Sequence, residues 1–428
     1  MSGRWLGRAV LLVALLTLMA GIAAGCGGDD DEPEAEDGSA TEATDGDGFD
    51  GTIKVGFNVE LSGPGAFFGA SRLIGANVAV DDINSAGGVQ VGDQSYQLEL
   101  VVDDNRTDAT YGVQGAENQA EEEVLWAVPP DFGFEAAYEI YKENEILTVA
   151  NGGVAAQLLT DDAPGNPLLF FEFLTYHQTV EHYYQGLRAL APDVTTVAAL
   201  LPDEANGRTF AEAFEEYAPQ YGFEFVGAEL HPPDAEGDFS TYLTNLKALE
   251  PDAIYLGYYP QVVIPGAEQA ANLDAADVLF TDLYLPEDFA EVDFSGYPLI
   301  SFQIAWAFSP SVQPQDPEDL ELVEKLNAEA GGEPYLTAAA SAAYIADVTM
   351  VAEAVEQAGT IDDPNAIAQA LLGVTYDGPL GPATVSPNHA IDLARNAIVI
   401  DENGEVTVYV FDSGFSTEPT DEYPAQVE

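Results

Sequence analysis

From Ile53 onward the hydrophobic period switches back and forth between two and about 3.6, and that alternation constrains the fold more than any other feature. Ile53, Val55 and Phe57 alternate along a strand. Leu73, Ile74, Val78 and Ile83 recur at helical spacing until Ala86-Gly87-Gly88 ends the run. Leu98, Leu100 and Val102 make the next strand, which stops at Asp103-Asp104-Asn105. Asp108 then stands where a cap belongs, before a helix running to about Glu123. Residues 124–128 read as a buried strand, 135–144 as a helix and 146–150 as a strand. The rhythm restarts with strand 196–201, helix 209–217 and strand 223–230. Asp238-Phe239-Ser240 opens a helix over 241–249, and 253–258 is again a strand. Such alternation means parallel sheets flanked by helices. Two rounds of it, separated near residues 164–173, predict an α/β chain of two doubly wound parallel-sheet lobes. Helices over 318–330 and 337–358 follow, the second alanine-rich. The tail over 397–411 is strand-like, with an Asn403-Gly404 hairpin signal. No internal repeat is visible.

The first segment reads as an address. Arg4 and Arg8 precede a twelve-residue apolar run, Ala9 to Ala20, too short to span a bilayer comfortably. Ile22-Ala23-Ala24-Gly25-Cys26 then resembles a bacterial lipobox, in which small residues precede a cysteine that is lipidated and becomes the mature N-terminus. Lipoboxes most often carry Leu three places before the cysteine, and Ala23 departs from that. The alternative is an ordinary signal peptide with an incidental cysteine. That Cys26 is the chain's single cysteine, standing at this one place, favours the anchor. Acyl chains on Cys26 would suffice for stable attachment. A single cysteine also excludes intramolecular disulfides and cysteine-based zinc sites. No second long apolar run is read, so the remainder is expected to lie outside the membrane. Residues 26–50 are rich in acid, Gly, Ser and Thr, and read as a self-repelling disordered tether without EF-hand spacing.

Charge narrows the function. The chain has 75 acidic and 11 basic residues, a net charge of −64, yet 47% of it is hydrophobic, which is enough for a sizeable core. Phosphate neutralisation is beyond such a chain, so nucleic acid is excluded as a partner. Attraction to anionic lipid is disfavoured too. Acids spread along the whole sequence are a sign of a high-salt habitat, where salt screens self-repulsion. The alternative is a merely acidic mesophile protein.

Catalytic signatures are missing: there is no Gly-x-Ser-x-Gly elbow, Walker loop or Gly-x-Gly-x-x-Gly. His177 and His182 are five apart and diverge on a helix, while His177 and Glu181 share what reads as a solvated face. His231 precedes Pro232-Pro233 and reads as loop. With four histidines and no convergent nucleophile, no catalytic residue, cofactor or metal is assigned. In open α/β sheets, ligands sit at the carboxyl ends of strands. The loops that matter are therefore 62–69, 129–134, 151–154, 202–207, 258–261 and 282–285.

Several segments together look like the branched-chain amino-acid binding proteins of bacterial ABC transporters, which are type I periplasmic binding proteins. They are IKVGFNVELSGPGAFFGASRLIGANVAVDDINSAGG (53–88), LELVVDDNRTDA (98–109), EILTVANGGVAAQLLT (145–160), PPDAEGDFSTYLTNLKALEPDAIYLGYYP (232–260) and YDGPLGPATVSPNHA (376–390). The resemblance implies two lobes joined by three crossings with a small solute gripped between them. It places the N-terminal lobe at 51–171 plus 303–372 and the C-terminal lobe at 172–302 plus 373–428, after a signal peptide over 1–25. The SPNHA phrase looks like the C-terminal segment of amide- and urea-binding relatives, where it is structural.

Carried over residue by residue, the resemblance puts Phe68 over the ligand. Where the family has a serine run that holds a carboxylate, this chain reads Pro130-Asp131-Phe132-Gly133, with no hydroxyl. The next loop offers Gly153 and Ala155. The family's ammonium-binding acid aligns with Tyr284, two residues after Asp282, and its tyrosines with Tyr258 or Tyr259, one facing the cleft and the other the core. Tyr176 and Asn206 complete the expected lining. Asp131 and Asp282 each have the alternative role of helix cap. The expected function is a monomeric, lipid-anchored extracytoplasmic solute-binding protein that delivers an amino-acid-like or amide solute to an ABC permease. The alternatives are a ligand sensor docking on a membrane receptor and, behind it, an extracellular α/β hydrolase.

Overall fold

The computed structural model describes residues 48–152, 165–172, 175–233, 235–257, 259–290, 292, 297–303, 305–308, 314, 316–333, 335–411 and 421–424. Cys26, Gly153, Ala155 and Tyr258 lie outside them. The first round of alternation gives β1 (Gly51–Val59), α1 (Ala66–Ser85), β2 (Val89–Val91), β3 (Gln94–Asp104), α2 (Ala109–Glu121), β4 (Trp126–Val128), α3 (Phe134–Glu143), β5 (Leu147–Ala150) and β6 (Leu169–Phe171). The strands form one sheet in the order β2-β3-β1-β4-β5-β6, parallel except for β2. Asp108 caps α2 as expected, its carboxylate accepting from Thr110 N at 2.8 Å.

The second round gives α4 (Tyr176–Leu190), β7 (Thr196–Pro202), α5 (Ala205–Tyr217), β8 (Glu224–His231), α6 (Ser240–Lys247), β9 (Ala253–Leu256), α7 (Pro260–Leu273), β10 (Val278–Asp282) and β11 (Leu299–Phe302). α4 lies just after the separator read near 164–173, where the sequence treats only the turn from His177 to His182 as helical. Thr175 and Gln178 close a capping box on it.

The chain then returns to the first lobe through α8 (Pro317–Glu329), α9 (Thr337–Ala342), a π-helical stretch over Ala343–Thr349, α10 (Met350–Ala358) and α11 (Pro364–Leu371). The continuous run Thr337–Ala358 has the length and apolarity of a membrane span, contrary to the expectation of no second such run, but 83% of its most apolar 18-residue window is buried in the protein core. Gly75 of α1 meets Ala340 so closely that a Cβ there would overlap the Ala340 carbonyl oxygen. Only glycine lets the two helices approach this far.

A small antiparallel sheet follows, made of β12 (Thr375–Tyr376), β13 (Ala383–Val385) and β14 (Ile391–Leu393). Its Ala383, Ile391 and Leu393 are buried in a cluster dominated by the first lobe. The chain re-enters the second sheet only at β15 (Arg395–Ile400), later than the 373 read from sequence. β15 hairpins into β16 (Val406–Phe411) through a turn with Gly404 at φ 81°, and β17 (Asp421–Pro424) adds the edge. The second sheet runs β17-β16-β15-β11-β10-β9-β7-β8, with β7 to β11 parallel and the last three strands antiparallel.

The fold is thus two doubly wound lobes with three crossings, after β6, after β11 and before β15. The last two run side by side. Asn396 donates to Ala307 O at 3.0 Å and accepts from Ala307 N at 3.2 Å, while Gln303 N donates to Asn396 O at 2.9 Å. The first crossing is tied to the SPNHA segment: Phe171 N donates to His389 O at 3.0 Å, and the His389 ring stacks on Phe170 at 4.5 Å. His389 is structural, as the resemblance implied.

One of two buried histidines corrects the sequence reading. His182, which diverges from His177 on the helix, is 4% exposed, lies edge-on to Phe302 and Phe411, and burial pushes its pKa down to about 3. His231 is not loop but the fully buried last residue of β8, edge-on to Phe239.

Candidate functional site

The carboxyl ends of the parallel strands in both sheets meet at one cleft of about 840 Å3, counting its open mouth. Of the residues expected there, Phe68, Asp131, Phe132, Tyr176, Asn206, Tyr259 and Asp282 all line it. Phe68 sits in the first turn of α1 and reaches across to the second lobe, its ring edge-on to Tyr259 with centroids 6.4 Å apart. Tyr176 opens α4 and packs on Phe210 at 4.3 Å. Tyr259 donates from its hydroxyl to Glu204 at 3.0 Å.

Asp131 is not a cap. The residue at the N-cap of α3 is Gly133, at φ 78°, and no side chain caps it. Instead Asp131 accepts from Asn151 Nδ2 at 3.0 Å and from Arg72 Nη1 at 3.4 Å. Asp282 is not a cap either. Its two oxygens accept from the Tyr183 and Tyr255 hydroxyls at 2.7 and 2.9 Å. Burial raises its pKa to about 6 against those two hydrogen bonds.

Tyr284 does not reach the cleft. It is 1% exposed in the second-lobe core, with its ring edge-on to Phe289. The reason is Leu283, which takes φ 71°, a left-handed conformation that costs a bulky residue about 1–2 kcal/mol. On a straight strand, Asp282 and Leu283 would point to opposite faces. The left-handed residue lets both line the cleft and sends Tyr284 inward.

Glu172, Asn151, Thr179, Phe210, Leu283 and Ala339 also line the cleft, although the sequence did not single them out, and so does Arg72, which with Arg208 is one of the two basic residues the sequence puts near a cleft loop. Asn151 and Leu283 fall in loops marked by the strand-end rule. Arg72 is 4% exposed and is the only cationic side chain among the described lining residues. Its Nη2 stands 2.8 Å from Glu172 and 3.7 Å from Asp347, both fully buried. The Glu172 contact is close but off the N–H line, so it is an ion pair rather than a hydrogen bond. Glu60, 1% exposed behind Asp131, accepts from Asp131 N at 3.1 Å and from Asn105 at 3.0 Å. Burial, then repulsion from Asp131, pushes Glu60 up to about 7. Burial likewise raises both Glu172 and Asp347, while Arg72 opposes. Burial, then repulsion from Glu172, lifts Asp347 well above the carboxylate range, and the two neighbouring carboxyls can share a proton. The site is therefore an aromatic-walled cleft with one guanidinium outnumbered by carboxylates. Among the described residues no group of His, Cys, Asp and Glu has metal-holding geometry.

A two-lobed sheet pair with a strand-end cleft between the lobes defines a solute-binding protein, and the comparisons agree. Residues 52–404 match the family described as periplasmic binding protein, and the chain belongs to that family. Proteins of this family bind small solutes for ABC transporters and are not enzymes. The leucine-, isoleucine-, valine-, threonine- and alanine-binding protein of Pseudomonas aeruginosa is 25% identical over 77% of this chain and 84% of its own. The Leu/Ile/Val/Thr-binding protein of Salmonella typhimurium is 26% identical over 78% and 87%. Among solved structures, the branched-chain amino acid transporter substrate-binding protein of Streptococcus pneumoniae, in complex with isoleucine, superposes with a TM-score of 0.65 at 22% identity, over 84% of this chain and 99% of its own. An R. palustris solute-binding protein in complex with benzoate gives 0.66 at 14% identity, over 86% and 97%.

Proposed function

We infer that this chain captures a small nitrogenous solute, amino-acid-like or an amide, between its lobes and hands it to an ABC permease, working outside the cytoplasm on a lipid anchor at Cys26. The observation that carries this reading is the cleft itself, where Phe68 and Asp131 of one lobe face Tyr259 and Asp282 of the other. A solute held there touches both lobes at once, so its binding energy favours the closed pair. Polar hydrogens on the solute meet Asp131 or Asp282, and its apolar part packs on Phe68 and Tyr259. Trp306, part-buried in the crossing after β11, reports closure by its emission; Trp126 is fully buried, its indole N–H donating to Asp347 O at 2.7 Å, and serves as the silent reference. The test is a titration panel of amino acids, amides, polyols and dicarboxylates followed by emission and thermal shift. Binding of an amino acid or amide, weakened about tenfold or more by Asp282→Asn, is the expected result. Tight binding of a dicarboxylate alone would refute the assignment.

A further inference from the structure

We propose that the cleft selects an organic cation lacking a free carboxylate, held between the aromatic walls and the acidic cluster around Arg72. This narrows the solute-capture reading above and rests on it. The first ground is charge. Glu60, Asp131, Glu172 and Asp347 of the first lobe surround Arg72, so the one guanidinium is already engaged by acids and leaves no positive charge over for an anionic solute. Across the cleft, Glu204 and Asp282 add two more, with the hydroxyls of Tyr176, Tyr183, Tyr255 and Tyr259 between them. No lysine, second arginine or histidine is among the described lining residues.

The second ground is independent. Glu172 lines the cleft and is fully buried, and neither of its oxygens, nor either oxygen of Asp347 behind it, accepts a hydrogen bond from an N–H or hydroxyl among the described residues. A proton shared between the two carboxyls serves one accepting oxygen and no more. Buried carboxylates are nearly always hydrogen-bonded; Arg72 Nη2, itself without a hydrogen bond and 2.8 Å from Glu172, can serve one of these four oxygens, and the others mark a place where donors are missing. A protonated amine supplies three N–H donors and a charge. A carboxylate supplies neither and would compete with four acids for Arg72.

The third ground is the wall. Phe68, Phe132, Tyr176, Phe210 and Tyr259 give aromatic faces, against which a cation is attracted and an anion is not. The pH dependence then has a definite sign. Asp282 and Glu60, raised to about 6 and about 7, lose their protons as the pH rises towards and through neutrality, a cation binds better when they are ionised, and an alkylamine stays protonated to about pH 10. Affinity for a cation therefore rises with pH.

Three probes on one carbon skeleton isolate the charge: isoamylamine, leucine and 4-methylpentanoate. With the full mature chain in molar KCl, isoamylamine is expected to bind at least tenfold tighter than leucine, with 4-methylpentanoate weakest. Its affinity should rise at least threefold from pH 5.5 to 7.5. Glu172→Gln should erase most of the preference for the amine; should that variant not fold, Asp131→Asn, whose side chain is part-exposed, carries the same test. Leucine binding tighter than isoamylamine, or no binding of isoamylamine, overturns the inference and leaves solute capture standing, because the wider panel reads that separately. A flat pH profile, or an amine preference unchanged in the folded variant, overturns the role of the acidic cluster.

Discussion

Replacing Glu60 by glutamine should make the protein more stable above neutral pH and leave its stability near pH 5 almost unchanged. Glu60 is 1% exposed; its Oε1 is hydrogen-bonded, and its Oε2 has no partner among the described residues. Burial and the neighbouring Asp131 raise its pKa from 4.5 to about 7. Each pH unit of difference between folded and unfolded values is worth about 1.4 kcal/mol, so ionising Glu60 in the folded state costs about 3 kcal/mol more than in the unfolded chain. The folded state binds this proton more tightly. The contribution of Glu60 to stability is therefore fully present below about pH 4.5 and is lost as pH rises through 7. In the Glu60→Gln variant the amide keeps the oxygen that serves Asn105 and Asp131 and has no proton to lose. Urea unfolding of both proteins at pH 5, 6, 7 and 8, in constant molar KCl, reads the difference. The two curves should diverge by about 3 kcal/mol between pH 5 and pH 8. Asp282 titrates alike in both proteins and cancels. Parallel curves would show that Glu60 is not strained by ionisation and would refute the picture of an overcrowded acidic cluster.

Other perturbations test the anchor, the charge and the cleft wall. Cys26→Ala should release the protein from membranes; retention in the membrane fraction after a salt wash would remove the lipid anchor. Without residues 1–25 the chain has nine basic residues against 75 acidic, a net charge of −66. The melting temperature should therefore climb strongly from low to molar KCl, and a flat response would remove the high-salt reading. Phe68→Ala deletes the ring that bridges to Tyr259 and should weaken solute binding about tenfold, by roughly 1–3 kcal/mol, with little change in unfolding; unchanged affinity would place the solute elsewhere.

Much of this was legible in the sequence because period switching is a strong signal. β1, α1, β3 and α2 fall where Ile53, Leu73, Leu98 and Asp108 placed them. For α4 only the turn carrying His177, Glu181 and His182 was read as helical, although Thr175 and Gln178 spell a capping box, because its polar first turn obscures the apolar face. β6, three residues long, is too short to show a period. The strand-end rule found the loops carrying Phe68, Asp131, Asn206, Tyr259 and Asp282. It misplaced Tyr284, because alternation presumes a regular strand and Leu283 breaks it. Arg72 and Asp347 had a signal of another kind. Each is a lone charge inside an apolar helical stretch, and Asp347 is the only charged residue between Thr337 and Met350. Glu172 had none, since its burial depends on two helices distant in sequence meeting over it.

The pairing of Asn396 with Ala307 fixes the kinematics of capture. An amide that both donates to and accepts from one backbone unit behaves as a pin: neither crossing can slip a residue along the other without breaking two buried hydrogen bonds. Sliding of one lobe over the other is locked out. What remains is torsion in the few residues on either side of the pin. The first crossing, held to His389 by Phe171, constrains the same axis from beside it. Any opening and closing of the lobes is therefore expected to be rotation about this line rather than sliding. A solute at the mouth meets one swinging jaw whose path is set before it arrives.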